Sequence, residues 1–252
     1  MNEPYAFTVS TNLSADVVRT LMAAYRPFRV EVNFDNGFST SQFGDQTVYP
    51  SKDPLAKAHY FPALLQGLQG RKVLDIGCHL GYWGHYLLER GATRYVGVEL
   101  DERTLRCAQI IQALSKHAAG PMHFQRLDFS VELAIDDPTQ FESNDLILSL
   151  ASINNVENFL IYLRNIRRLA GERADLVIEY LATENEEAIV EFYSKGYRHD
   201  KSLRWIFSER FIDEQLCAIG FTKAASLLNW QNEELIGKGK SKKMAHYKRT
   251  DH

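Results

Sequence analysis

The stretch VLDIGCHLGYWG, from Val73 to Gly84, joins a short apolar run to three glycines and the start of a helical pattern. It predicts a buried strand, a tight turn and a helix that begins after the turn. Gly77 opens the turn, and Asp75 places a carboxylate just ahead of it. Because ligands of open α/β sheets bind outside the carboxyl ends of the strands, we expect this turn to hold a ligand.

On either side of this stretch, short apolar runs alternate with helical patterns, which is typical of βαβ units in a parallel sheet. The strand-like runs are KVLDIGC, RYVGVEL, MHFQRLDF, DLILSLA and DLVIEYL. Two further runs, FTKAASLLNW and KMAHYKRT, have no helical pattern between them and predict an antiparallel pair at the sheet edge. The sequence therefore predicts an α/β fold with a Rossmann-like, seven-stranded, mostly parallel sheet, an antiparallel last strand and helices on both faces.

Two regions fall outside this alternation. Residues 1–66 predict a helical and loop extension that forms a cap, and residues 67–252 form the regular domain. Residues 182–206 follow the fifth strand-like run and predict a lid-like insert, because they are rich in aromatic and polar groups. In the alternative interpretation, both regions only close the exposed ends of the sheet.

The composition is that of an ordinary globular protein with a formal net charge of −3, which gives no overall attraction to nucleic acid or acidic membranes. Lysines crowd the C-terminus and favour a solvated edge strand, with binding of phosphate or an acidic substrate as the alternative. The three cysteines predict neither a disulfide framework nor a zinc site. Since the sequence shows no leader and no long apolar run, we expect a cytoplasmic protein without a membrane span.

The glycine spacing narrows the class of ligand. No lysine lies between Val73 and Gly91, which excludes a P-loop, and Gly77-x-x-x-Gly81 differs from the dinucleotide pattern. Asp75 would repel a pyrophosphate but suits a cationic amino group. Glu99 and Asp128 end the next two strand-like runs, where carboxylates suit ribose hydroxyls and an adenine amino group, with Phe129 packing on the base.

With these residues the sequence resembles the class I S-adenosylmethionine-dependent methyltransferases over Arg71 to Arg249. VLDIGCHLG resembles the first motif of that family, GVELD the second, LDF the third and DLILSLASINNV the run after the fourth strand. The resemblance implies S-adenosyl-L-methionine as the cofactor. The residues predicted to bind it are Asp75, Gly77, Cys78, His79, Gly81, Tyr82, Glu99, Leu100, Asp128, Phe129 and Ser149.

Within the superfamily, the chain is more loosely similar to the tRNA wobble-uridine carboxymethyltransferases, through LVIEYL with its insert and WIFSERFIDEQLCAIGF. His79 departs from the family pattern, in which most members have glycine. If the turn needs a positive φ there, we expect a strain of about 1 kcal/mol.

Methyl transfer is an in-line displacement that needs positioning and at most a base, so no catalytic triad is expected. The candidates for catalysis are His199, then His59, with Asn155 as a hydrogen-bonding group. The resemblance and the aromatic character of the two flanking regions point to Tyr60, Asn154 and Tyr197 as substrate-binding residues. No motif requires a metal.

Three functions follow from these observations. The first is methyl transfer to an oxygen or nitrogen of a small-molecule acceptor. The second is modification of a tRNA base, with the C-terminal lysines on phosphate, and the third is a non-catalytic cofactor-binding protein. The oligomeric state is not predicted.

Overall fold

The strands and helices of the computed structural model coincide with the apolar patterns of the sequence. The structure describes residues 8–26, 31–44, 54–133, 141, 143–193, 204–230 and 240–250. Within these residues the helices are α1 (Ala15–Ala23), α2 (Pro62–Gln66), α3 (Tyr82–Leu88), α4 (Glu102–Leu114), α5 (Phe159–Leu169) and α6 (Glu209–Ala218). The strands are β1 (Thr8–Val9), β2 (Asn33–Phe34), β3 (Lys72–Ile76), β4 (Arg94–Glu99), β5 (Met122–Arg126), β6 (Asn144–Leu150), β7 (Ala170–Thr183), β8 (Val190–Tyr193), β9 (Arg204–Ser208), β10 (Phe221–Trp230) and β11 (Lys240–Arg249).

The chain divides into two compact units. The first contains residues 1–70 and 78–126, and the second contains residues 71–77 and 127–252. The predicted cap at residues 1–66 and the lid-like role of the insert at residues 182–206 stay predictions.

In the first unit, β4 and β5 pair in parallel, from Tyr95 opposite Met122 to Glu99 opposite Arg126. Helix α4 begins at Asp101, whose side chain accepts a hydrogen bond from the Thr104 amide and so caps the helix. A second, short parallel pair is formed by β1 and β2. The cap at Asp101 fixes where α4 starts, directly after the strand that ends at Glu99.

In the second unit, β6 lies between β3 and β7 and is parallel to both. Strand β11 is antiparallel to β7 on one side and to β10 on the other. The predicted antiparallel pair is thus confirmed. However, β11 is an interior strand and β10 forms the edge, so the interpretation of the lysine-rich strand as a solvated edge was wrong.

All seven predicted strands form, as β3 to β7, β10 and β11, and the last strand is antiparallel as expected. The fold class is confirmed. The insert adds β8 and β9, an antiparallel pair that sequence analysis did not predict, and β9 pairs in parallel with the end of β7. Among the described residues, no helix is long and apolar enough to cross a membrane.

Candidate functional site

The turn after β3 begins with a buried carboxylate and an exposed glycine in the second unit. Asp75 is 2% exposed. Gly77 has a φ of +76°, and a Cβ at this position would lie 3.1 Å from Oγ and Cβ of Ser152. Two features therefore favour glycine here, the left-handed backbone and the close approach of the Ser152 side chain.

A chain of hydroxyl groups lies beside this turn. The Ser152 hydroxyl donates to the carbonyl oxygen of Ile76 at 2.7 Å, and the Tyr162 hydroxyl donates to Ser152 at 3.2 Å. The hydroxyls of Tyr162 and Ser149 are 2.8 Å apart. Burial raises the pKa of Tyr162 to about 12, against the opposing effect of its hydrogen bonds to the two serines. The tyrosine thus stays protonated and available as a donor at any physiological pH.

Sequence reasoning placed Ser149 at the cofactor but missed Tyr162 and Ser152. The periodicity of α5 assigns Tyr162 to an apolar stripe, and the ring is indeed 1% exposed. A tyrosine in such a stripe, rather than phenylalanine, was the available signal, because most buried phenols form a hydrogen bond.

Asp128 and Phe129 follow β5 and belong to the second unit. One carboxylate oxygen of Asp128, Oδ1, accepts hydrogen bonds from the amide and the hydroxyl of Ser130, at 2.8 and 2.6 Å. The ring of Phe129 is 4% exposed and packs edge to face on Tyr162. The carboxylate is therefore held in one orientation, whereas packing of Phe129 on a base stays a prediction.

In the first unit, the Glu99 carboxylate is fixed by backbone amides. Its Oε1 accepts hydrogen bonds from the amides of Leu100 and Asp101 at 2.8 and 3.1 Å. Its Oε2 accepts one from the amide of His79 at 3.2 Å. A carboxylate has about four acceptor positions, so Glu99 keeps capacity for a further donor.

His79 adopts the left-handed backbone conformation, which favours glycine. Its φ is +53°, which for a residue with a Cβ costs about 1 kcal/mol. Its ring lies nearly parallel to that of Tyr82, with the ring centres 6.0 Å apart. The turn thus has a positive φ at His79, and the strain expected for that case applies.

The other predicted cofactor residues of the first unit differ in exposure. Cys78 and Tyr82 are buried, at 3% and 2%, while Leu100 is 51% exposed. Gly81 has a φ of +77°, and a Cβ there would lie 2.3 Å from the Phe124 ring. Packing on Phe124 therefore explains this glycine without any ligand.

The two asparagines after β6 differ in their surroundings. Asn154 is 2% exposed, donates to the carbonyl oxygen of Trp205 at 2.6 Å and accepts from the amide of Leu181 at 3.0 Å. It thereby ties β9 to β7, a use that the sequence did not indicate. Asn155 is exposed, and its side chain donates to the carbonyl oxygen of Ala151 at 3.0 Å.

Of the remaining candidates, His59 is exposed and Tyr60 is half-buried, with their ring centres 3.8 Å apart. Both belong to a short 3-10 helix, Pro54–Tyr60. His199 and Tyr197 lie outside the described residues. Their catalytic and substrate-binding roles stay predictions.

The described part of the insert carries a fixed aromatic surface. The indole nitrogen of Trp205 donates to the carbonyl oxygen of Val156 at 2.8 Å, and the ring packs on Phe159 at 5.2 Å. Phe192 lies across the hairpin, 4.7 Å from the Trp205 ring centre, and is 49% exposed. The hydrogen bonds to the indole and to the backbone of Trp205 leave this ring little freedom to turn.

The C-terminal lysines are paired with carboxylates of the same unit. Lys240 contacts Glu191, Lys242 contacts the fully buried Glu179, and Lys243 contacts Glu209. Lys223 contacts Glu209 as well, and with Lys243 it outweighs the effect of burial and lowers the pKa of Glu209 to about 2. These three C-terminal lysines therefore have carboxylate partners already, and their charges are largely neutralised.

Comparisons with known proteins agree with this picture. Relatives include the tRNA U34 carboxymethyltransferase of Alteromonas mediterranea, 23% identical over 157 residues that cover 61% of this chain and 46% of the relative. The chain thus spans about half the length of the curated relatives it matches.

Among solved structures, the N-terminal domain of EvdMO1 with SAH bound has a TM-score of 0.68 at 14% identity, covering 94% of this chain and 96% of that one. The Burkholderia thailandensis 1,6-didemethyltoxoflavin-N1-methyltransferase, with bound 1,6-didemethyltoxoflavin and S-adenosylhomocysteine, has a TM-score of 0.58 at 19% identity, covering 100% and 94%. These likenesses bear on the fold.

The family comparison covers most of the regular domain. The family model described as a methyltransferase domain matches residues 52–226. This stretch includes the turn at Gly77, the carboxylates of Glu99 and Asp128, and α5 with α6. The chain therefore belongs to the methyltransferase domain family and, as its motifs predicted, to the class I S-adenosylmethionine-dependent methyltransferases, an enzyme superfamily whose methyl donor is S-adenosylmethionine.

Proposed function

We propose that this protein transfers a methyl group from S-adenosylmethionine to an oxygen or nitrogen of a small-molecule acceptor. The observation that carries the proposal is the Glu99 carboxylate, which ends β4 and is held by three backbone amides at 2.8 to 3.2 Å. A carboxylate held in this way, with acceptor capacity left, suits the two neighbouring hydroxyls of a ribose.

The second unit supplies groups that fit the other parts of the cofactor. Asp75 offers a carboxylate to the cationic amino group of the methionine end. Asp128 accepts from Ser130 only through Oδ1 among the described contacts, which leaves Oδ2 for the adenine amino group. From the first unit, His79 and Tyr82 would contact the methionine end, and the half-exposed Leu100 would pack on the adenine.

The sulfonium makes the methyl carbon electrophilic, so the protein has to position the acceptor and accept its proton. As the acceptor atom bonds to the methyl carbon, the carbon–sulfur bond breaks and its electrons go to sulfur. The proton of the acceptor then passes to a base, for which we propose His199, with His59 as the second candidate. Asn155 has no basicity and would orient the acceptor by hydrogen bonding.

Two observations favour a small acceptor over tRNA. Lys240, Lys242 and Lys243 are bound to carboxylates, so they are poor ligands for phosphate. The insert presents the fixed ring of Trp205 beside the exposed ring of Phe192, an aromatic surface that suits an organic molecule. The names of the relatives support the tRNA alternative, with the insert then facing a base.

The cofactor part of the proposal is tested by calorimetric titration with S-adenosylhomocysteine. The parent protein should bind it, and Glu99→Ala and Asp75→Ala should each weaken binding by roughly 10- to 100-fold, because each removes a charge-assisted hydrogen bond. The matched control is Glu102→Ala, an exposed carboxylate near Glu99 whose side chain pairs with Arg106. If the parent does not bind, the proposal is wrong.

The acceptor part is tested by mass spectrometry of methylated products. The protein with S-adenosylmethionine is incubated with a pool of small metabolites and, separately, with unmodified tRNA. Products in the metabolite pool alone support the proposal. Products on tRNA, with binding to heparin that falls steeply with salt, would establish the alternative. Cofactor binding without turnover in either pool would indicate a non-catalytic binding protein.

A further inference from the structure

The Tyr162 hydroxyl connects the loop after β6 to the turn after β3. Ser152, in that loop, donates to the carbonyl oxygen of Ile76, the residue between Asp75 and Gly77. Tyr162 donates to Ser152 from α5, and Ser149 contacts Tyr162 from the end of β6. All of these residues belong to the second unit, and Ser149 and Tyr162 are 0% and 1% exposed.

The directions of the three hydrogen bonds among Ile76, Ser152, Tyr162 and Ser149 follow from counting protons. A carbonyl oxygen only accepts, so the single proton of Ser152 is used on Ile76. Ser152 must then accept from Tyr162, which uses the single proton of the phenol. Ser149 is left as the donor to Tyr162. Tyr162 is therefore the central member, and its loss leaves one serine without a donor and the other without an acceptor.

The loop after β6, which these hydrogen bonds hold in place, has a strained backbone next to the turn. Ala151 has a φ of +68° without being glycine, which costs about 1 kcal/mol. The next residue, Ser152, packs closely on Gly77, since a Cβ on Gly77 would lie only 3.1 Å from the Ser152 side chain. A shift of Ser152 would therefore change the packing of the Gly77 turn.

We infer that Tyr162 is a positioning residue for the cofactor turn, acting through Ser152 on the backbone of Ile76 and Gly77. The inference rests on the proposed function, in which Asp75 and this turn bind the methionine end of the cofactor. Tyr162 is buried in the stripe of α5, and its hydrogen bond to Ser152 connects it to the turn. Its hydroxyl fixes the turn in the conformation that binds.

Tyr180 provides a matched control within the same unit. It is a tyrosine of β7, 1% exposed like Tyr162. Its hydroxyl has no hydrogen-bond partner among the described residues. Tyr180→Phe therefore removes a buried phenol oxygen without breaking a hydrogen bond, whereas Tyr162→Phe breaks two.

The experiment measures dissociation constants of two probes by calorimetry for the parent, Tyr162→Phe and Tyr180→Phe. S-adenosylhomocysteine carries the amino-acid end, and 5′-methylthioadenosine lacks it. We expect Tyr162→Phe to weaken binding of S-adenosylhomocysteine about tenfold, while binding of methylthioadenosine changes less than twofold. Tyr180→Phe should leave both unchanged. Thermal unfolding of each variant without ligand is recorded alongside.

The outcomes separate the two proposals. Failure of the parent to bind S-adenosylhomocysteine removes the proposed function itself. If the parent binds and Tyr162→Phe binds equally well, Tyr162 is structural only and the inference is wrong. Equal loss of both probes, with a lower unfolding temperature, would likewise show a general structural role. Should Tyr162→Phe not fold, Ser152→Ala tests the same connection, with the same selective loss expected.

Discussion

Both units bury a titratable side chain. In the first unit burial makes that side chain neutral, whereas in the second unit ion pairs keep it charged. In the first unit, His85 of α3 is 3% exposed, and burial, aided by the nearby His117 and Lys116, lowers its pKa to about 3. In the second unit, Asp175 lies 2.6 Å from Arg71 and 2.7 Å from His246. Burial thus removes the charge of His85 at neutral pH, whereas the aspartate between two basic groups keeps its charge.

The largest effect should come from breaking the paired charges of the second unit. Asp175→Ala removes a largely buried carboxylate that pairs with both Arg71 and His246, at a site where the Arg71 side chain is only 17% exposed. We expect a loss of about 3 kcal/mol in the free energy of unfolding, measured by urea denaturation at pH 7. The control is Glu214→Ala, which removes an exposed pair with Arg210 and should leave the free energy of unfolding nearly unchanged. Equal losses in both variants would contradict the comparison.

The next largest effect should be on the pH dependence of the free energy of unfolding, which differs between His85 in the first unit and Asp175 in the second. The unfolded state takes up a proton at His85 near pH 6.5, but the folded state does so only near pH 3. Stability should therefore fall as the pH is lowered from 6.5, by at most about 1.4 kcal/mol per pH unit from this group. His85→Gln should flatten this decline when the free energy of unfolding is measured by urea denaturation across this pH range.

Asp175 should contribute in a different pH range. Burial alone would raise its pKa, but hydrogen bonds and charge from His246 and Arg71 outweigh burial and lower it. Its stabilisation is therefore complete above the unfolded value near 4 and is lost as the pH falls below it. Asp175→Ala should flatten the stability curve only in this lower range. An unchanged curve in this lower range would contradict the prediction.

A smaller effect distinguishes the two buried tyrosines of the second unit. Tyr162→Phe should cost about 1 to 2 kcal/mol in unfolding free energy, because Ser149 and Ser152 lose their shared partner. Tyr180→Phe should cost nothing measurable or stabilise slightly, since its hydroxyl makes no hydrogen bond with the described residues. Thermal denaturation of both variants provides the measurement. Equal destabilisation would show that ring packing, rather than the hydroxyl, is what both positions share.

The smallest effect concerns a strained backbone position in each unit. His79 and Ser143 have φ values of +53° and +59°. Glycine relieves the strain at either site but loses more conformational entropy on folding, so we expect a net gain of about 0.5 kcal/mol for His79→Gly and Ser143→Gly. If the imidazole contacts the cofactor as proposed, His79→Gly alone also weakens binding of S-adenosylhomocysteine. A loss of stability in His79→Gly would show that the side chain packs favourably.

Local patterns decided much of this protein in advance. The apolar runs predicted all seven strands of the regular order because the period and the length of a buried strand are local properties of the chain. Asp101, a residue type that favours helix N-caps, caps α4, and Gly77 has the positive φ that glycine allows in a turn. The motif order led to the methyltransferase family because those carboxylates and glycines follow successive strands.

The tertiary structure decided what distant residues do to one another. The sequence pattern of α5 predicts a core position for Tyr162, and only the tertiary structure brings its hydroxyl to Ser149 and Ser152 beside the turn. The lysine-rich pattern of β11 predicted an exposed edge strand. In the structure β11 pairs with both β7 and β10, and Lys240, Lys242 and Lys243 contact carboxylates. Asn154 likewise ties two strands together. A sequence determines the period, caps and turns of its elements because these depend on neighbours along the chain, whereas hydrogen-bond partners and burial depend on which elements meet in space.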